Sequence, residues 1–212
     1  VFDTARLPGF AAGTETIYAE LELQWDTRRR ASRWEPSSVP STGHLIAGYA
    51  GRATALDEGV DFWRYGGDLQ QYLRVGAGPR VIALRGHAEA VSGDLAEVPF
   101  NELPRLGGAQ RLRGYPLDRF RDRIAVVGSA EYQWDLSRAL SASLFADAGR
   151  VYRAASELSL DHLRVGYGVA IEAHSDERFV ARLSLASSID GGVFVDVSLD
   201  PVFDIAERGA DR

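Results

Sequence analysis

The sequence predicts an all-β fold: an antiparallel transmembrane β-barrel, with about nine strands in this chain. Three observations predict it. Apolar residues recur with a period of two. The alternating runs extend over about 10–14 residues, whereas strands of globular proteins average about 5–6. The connections differ in kind, some being tight turns and others long loops, as at the two rims of an outer-membrane barrel.

The elements follow in order. Across Glu15–Asp26, Ile17, Ala19, Leu21, Leu23 and Trp25 share one face, and Glu20, Glu22 and Gln24 the other. Further strands are expected near 44–55, 67–77 and 80–92. Between 123 and 136, Ile124, Val126, Ala130, Tyr132 and Trp134 oppose Ser129, Glu131, Gln133 and Asp135. A strand near 139–151 follows. Across 161–174, Val165, Tyr167, Val169 and Ile171 oppose Arg164, Glu172 and His174. Across 178–188, Phe179, Ala181, Leu183 and Leu185 oppose Arg182 and Ser184. The last run, 192–203, sets Val193, Val195, Val197 and Leu199 against Asp196 and Ser198. In a barrel the apolar face meets lipid, so Leu21, Leu23, Trp25, Val126, Tyr132, Trp134, Val165, Val169 and Leu183 are expected outward. A soluble antiparallel barrel or sandwich would share the period; strand length and loop asymmetry favour the membrane.

Gly76–Arg80, Asp135–Arg138 and His174–Arg178 are short turns, and Leu56–Gly66, Ser92–Arg123 and Arg150–Leu160 are longer. Thr27–Gly43 is long where a short turn is due, and Ser188–Gly191 is short where a loop is due. Every strand is expected antiparallel to its sequence neighbours, since no crossover is long enough for a helix.

Composition narrows the function classes. The 212 residues contain no Cys, which removes disulfides, thiol nucleophiles and Cys-based metal sites. They contain no Met either, so the chain is expected to begin at a processed or excised end. All 24 Lys+Arg residues are Arg. A net charge of −6 argues against nucleic acid as a partner. No apolar run of about 18 residues suggests a transmembrane helix. No phosphate-binding loop or metal-ligand spacing occurs, so neither cofactor nor metal is expected. His87 and His174 share the inner face with Ser129, Ser141 and Ser143, which makes a Ser–His hydrolase conceivable. Scattered histidines without a motif are more often hydrogen-bonders lining a lumen, and the chain is not expected to be an enzyme. The Gly166–Gly168 triplet GYG lies inside a strand and reads as a packing feature.

Three motifs occur in order: GGAQRLRGYPLDRFRDR over Gly107–Arg123, VVGSAEYQWDL over Val126–Leu136 and LFADAGRVY over Leu144–Tyr152. They resemble the C-terminal signature of the BamA-type outer-membrane assembly and translocation superfamily, the bacterial surface antigen barrels. There a long extracellular loop carries an RG(F/Y) tip back into the barrel, the next strand an inward Glu, and the one after it an F-x-D-x-G. DTRRRASRWEPSSVPSTG, Asp26–Gly43, resembles that family's D-T-R…P-x-x-G turn with an insertion. Phe179–Phe203 resembles its final hairpin, and the tail Asp204–Arg212 departs from the pattern.

The resemblance implies that residues 1–212 form a single membrane barrel domain, looking like the C-terminal part of a sixteen-stranded barrel. A lumen-entering loop would span about 93–122, and no POTRA domain lies in the chain. An open half-barrel would leave two edges in lipid. A piece of a larger chain is therefore favoured over two combining copies or a shorter closed barrel. The loop holds Arg105, Arg111, Arg113, Arg119, Arg121 and Arg123, and the inner face holds Glu20, Glu22, Glu89, Glu131, Asp135, Asp147 and Asp196. On residues alone, a solvated basic loop and one inserted among these acids are both open. The resemblance implies insertion, with Arg113, Gly114 and Tyr115 at the tip and Arg113 clamped to Glu131 and Asp147. Arg suits that role because its planar fork can bridge two carboxylates.

The function implied is insertion or translocation of other proteins in the bacterial outer membrane. The last strand, with Val193, Val195, Val197, Leu199 and Phe203, would be a lateral seam. Expected partners are the lipid bilayer, unfolded outer-membrane or secreted proteins, and periplasmic or lipoprotein accessory proteins. The alternative is a passive anchor or pore for a passenger domain elsewhere.

Overall fold

The computed structural model describes residues 15–29, 40–56, 61–93, 98–137, 139–174 and 179–199, with backbone alone for His174, Phe179 and Val180. Strands β1 (Thr16–Asp26), β2 (Gly43–Ala55), β3 (Phe62–Arg74) and β4 (Arg80–Val91) come first. A two-residue ribbon, β5 (Arg105–Leu106) with β6 (Phe120–Arg121), forms inside the long loop. Then come β7 (Ile124–Asp135), β8 (Leu140–Tyr152), β9 (Arg164–His174), β10 (Phe179–Ser188) and β11 (Val193–Ser198). Nine strands make one sheet in the order β1-β2-β3-β4-β7-β8-β9-β10-β11. Every neighbouring pair in it is antiparallel. The only helical pieces among the described residues are 3-10 turns at Phe100–Glu102 and Ala155–Glu157. The sheet does not close on itself here, and β1 and β11 are its edges.

Two expected boundaries need correction. β3 begins at Phe62, not at 67, so residues 62–66 belong to the strand and not to the expected loop Leu56–Gly66. Gly66–Gly67 resembles a turn but lies mid-strand. A Cβ on Gly66 would come within 2.7 Å of the Tyr49 hydroxyl and 2.5 Å of the Ala88 carbonyl, so glycine there admits the Tyr49 ring. β9 begins at Arg164, not 161, because His162 has a φ of 55° that a strand cannot continue. The last strand is regular to Ser198; Phe203 and the tail after it lie outside the described residues.

Alternation sorts the side chains into an apolar outer face and a mixed inner one. Leu21, Leu23, Trp25, Val169 and Leu183 are exposed outward. Val126, Tyr132, Trp134 and Val165 are half-buried, sharing the outer face with Leu144 and Tyr167 on neighbouring strands. The inner face is covered by the loop between β4 and β7. Leu106, Leu112 and Tyr115 of the loop pack on Ala125 and Val127, and Val98 and Leu103 pack on Ala53, Phe62 and Val91. Apolar-out, covered-in is the polarity of a membrane barrel wall. Val169→Arg, on the outer face of β9, is therefore expected to destabilise the barrel by about 2–4 kcal/mol if it lies near mid-membrane. Urea unfolding in phospholipid vesicles reads this, and an unchanged midpoint would remove Val169 from the lipid face.

Candidate functional site

The loop tip is built on left-handed backbone. Gly107, Gly108, Leu112, Gly114 and Asp118 all have positive φ, with Leu112 at 116° and Gly114 at 89°. Glycine adopts such angles freely, whereas Leu112 does so at a cost. Leu112 is fully buried, so packing holds it there and aims the next residue, Arg113, at the barrel wall. The β5–β6 ribbon closes the base of this tip. The Gly107 N–H donates to the Arg111 carbonyl at 3.1 Å and the Gly108 N–H to the Tyr115 carbonyl at 3.1 Å.

Arg113 is buried and fully engaged. Its backbone N–H donates to Asp147 Oδ2 at 2.9 Å and its Nε to the same oxygen at 2.8 Å. Nη2 donates to Asp147 Oδ1 at 2.6 Å and Nη1 to Glu131 Oε2 at 2.7 Å. The guanidinium lies over the Phe145 ring, 3.6 Å from its centroid. Asp147 and Phe145 sit two residues apart on β8, which puts both on its inner face. Glu131 is on β7, inward by the same rule. Tyr115 reaches the other way, its hydroxyl donating to Asp190 Oδ2 at 3.0 Å in the turn between β10 and β11.

A second cation completes the cluster. Arg182 of β10 donates through Nη1 to Glu131 Oε1 at 2.9 Å and through Nη2 to Oε2 at 3.1 Å. It also pairs with Glu172 of β9 and reaches Ser143 Oγ at 3.4 Å. Gln133 donates to Glu131 Oε1 at 3.1 Å. Two guanidiniums thus face three carboxylates. Charges taken out of water need such dense pairing, because an unpaired one costs several kcal/mol. Parity alone had set Arg182 and Glu172 on the inner face without a partner; their joining the Arg113 cluster depends on sheet curvature, which alternation does not reveal.

The loop has another foothold across the barrel. Arg64 of β3 pairs with Glu89 of β4 at 3.2 Å and with Glu102 of the loop at 2.7 Å. Arg111 lies 3.6 Å from Glu89, and the Tyr49 hydroxyl donates to Glu89 at 2.9 Å. Arg105 and Arg121 instead pair with Asp118 within the loop. The ribbon holds Asp118 within reach of both.

His87 is buried with Nδ1 3.3 Å from Asp68 Oδ2 and Nε2 4.0 Å from Glu89, and no serine donates to either nitrogen. The His174 side chain lies outside the description. Among the described residues no group of three His, Cys, Asp or Glu side chains is placed to hold a metal. The cluster can fix a loop.

At the sheet's edge, Val193, Val195, Val197 and Leu199 project outward, each about 70% exposed (71, 69, 68 and 72%). Asp196 turns inward opposite Ser184.

The Omp85 superfamily domain profile matches residues 14–190, which contain the loop, both its footholds and β1 to β10. Among solved structures, the crystal structure of BamA from Haemophilus ducreyi lacking POTRA domains 1–3 is similar, with a TM-score of 0.62 at 18% identity. The match covers 85% of this chain and 40% of that one, so the chain spans about two fifths of that structure. At this identity the likeness concerns the fold. No curated protein matches at a significant level. The profile spans well over half of the sequence, and the nine-stranded wall has the same fold as a stretch of the BamA barrel. The chain belongs to the Omp85 superfamily and forms part of the β-barrel of a bacterial outer-membrane protein.

Proposed function

We propose that this barrel part works in the insertion or translocation of other proteins, with β11 as a lateral seam and the Arg113 loop as an internal clamp. The observation that supports it most is the docked loop, whose tip reaches the β10–β11 hairpin through Tyr115 and Asp190. β11 is hydrogen-bonded to β10 from Ser187↔Val193 to Arg182↔Ser198 and, like β1, is an edge of the described sheet. An edge of this kind recruits an extended segment through main-chain hydrogen bonds, with side-chain alternation setting register. Its alternation, valines outward and Phe194, Asp196 and Ser198 inward, suits an incoming strand that is itself apolar on one face. The substrates would be unfolded outer-membrane or secreted proteins. Periplasmic or lipoprotein accessories would deliver them.

Site-specific photo-crosslinking in the full-length protein tests this. Probes at Val195 and Val197 are expected to capture substrate strands, while a probe at Leu69, on the outer face of central β3, captures none. Capture confined to lipid or to the barrel's own strands would reject the seam and favour a passive anchor or pore.

A further inference from the structure

We propose that Arg182 and Asp190 are positioning residues that tie the loop tip to the β10–β11 hairpin, so that docking of the tip sets the position of the edge strand. The proposal builds on the reading of β11 as the seam. It starts from the tip's reach beyond β7 and β8, where all the Arg113 side-chain hydrogen bonds go.

The tip meets the hairpin at three points. Arg182 bonds both oxygens of Glu131 and shares Oε2 with Arg113, and it sits directly opposite Ser198 of β11 in register. At the hairpin turn, Asp190 accepts from Tyr115 at 3.0 Å and from Arg164 of β9 at 2.8 Å. Between these, the Gly114 backbone lies flat on β10: a Cβ there would stand 2.2 Å from the Ser187 carbonyl. The hairpin is therefore held by β9 along one flank and by the loop tip from inside.

Charge balance makes the three points act together. With the tip docked, two guanidiniums serve Glu131, Asp147 and Glu172. Withdrawal of Arg113 leaves Arg182 as the one cation paired with this group of three carboxylates among the described residues. Arg182 already serves Glu131 and Glu172, so Asp147 is the carboxylate left without its donors, and drawing Arg182 toward it displaces the strand that carries β11. Loss of the Tyr115 bond at the same moment leaves Asp190 to Arg164 and cuts the turn's tie to the tip. A general stabiliser of the wall would instead affect all strands alike.

Hydrogen exchange on the full-length protein in lipid nanodiscs tests the coupling. Tyr115→Phe and Arg182→Gln are each expected to speed exchange of the Val193–Ser198 amides by about tenfold, leaving β2 and β3 unchanged. Arg113→Ala is expected to do the same from a distance. The double variant Arg113→Ala/Arg182→Gln should add little to the larger single effect, since both act through Glu131. Arg182→Lys should recover part of the protection. Unchanged β11 exchange in Arg113→Ala and Tyr115→Phe, additive effects, or a rise spread evenly over β2–β4 would each overturn the proposal. Should Arg182→Gln fail to fold, Tyr115→Phe and Asp190→Ala carry the test, the first removing the tip's bond to the turn and the second that bond together with the Arg164 pair. The readout needs no substrate. If exchange responds but the β11 probes capture no protein, the coupling stands and the insertion reading falls.

Discussion

Arg113→Ala is expected to release the loop from the wall and to lower barrel stability by about 3–5 kcal/mol, the range for breaking a buried ion pair by removing one partner. The magnitude follows from the surroundings. Side-chain exposure is 2% for Arg113, 1% for Glu131 and 2% for Asp147, so the carboxylates left behind cannot recover water without the loop moving. Asp147 loses three donors at once if the tip lifts, the backbone N–H included. An exposed pair of the same geometry would contribute only about 0–1 kcal/mol. Arg113→Lys should recover little, because an ammonium cannot contact Asp147 twice and Glu131 once while lying flat on the Phe145 ring. Urea unfolding followed by tryptophan fluorescence gives the stability change. Tryptic cleavage after Arg119 or Arg121 reports release of the loop. A variant with wild-type midpoint and a protected loop would show that the tip is not held by this cluster.

Much of the architecture could be read from alternation, because one parity choice per strand sorts every side chain to lipid or lumen. Glu131, Asp147, Glu172 and Arg182 all received their face this way. What alternation does not encode is height and curvature. Arg182 meets Glu131 across two intervening strands, a contact set by how far the sheet bends and how the registers stagger. The foothold of Arg64, Glu89, Glu102 and Arg111 was hidden for the same reason, and also because Arg64 fell inside a stretch read as loop. That misreading came from Gly66–Gly67, where glycine serves a neighbouring ring instead of a turn. The Asp118 pairs depended on a ribbon too short to leave a periodic signal.

Gly166→Ala is expected to undock the tip without removing any charge. A Cβ at Gly166 would stand 1.7 Å from the Arg113 carbonyl oxygen and 2.9 Å from its carbonyl carbon. Both obstacles are backbone, so no side-chain rotation relieves them. Either β9 or the tip must shift by more than an ångström or so to reach ordinary contact distance. A shift of that size breaks the short bonds from Arg113 to Asp147, whose geometry tolerates only a few tenths of an ångström. Overpacking alone costs about 1–3 kcal/mol, and the stranded carboxylates add to it, so the variant should approach Arg113→Ala in its effect. Gly114→Ala should behave alike, since it combines a φ of 89° with a 2.2 Å approach to the Ser187 carbonyl. Gly128→Ala on β7 is the control: its nearest neighbour would be 3.9 Å away, and the loop should remain protected. The comparison separates shape from charge. If Gly166→Ala keeps a protease-resistant loop, the tip is held by its ion pairs at some distance from β9. If it loses protection as Arg113→Ala does, close backbone packing and the buried guanidinium are two parts of one latch.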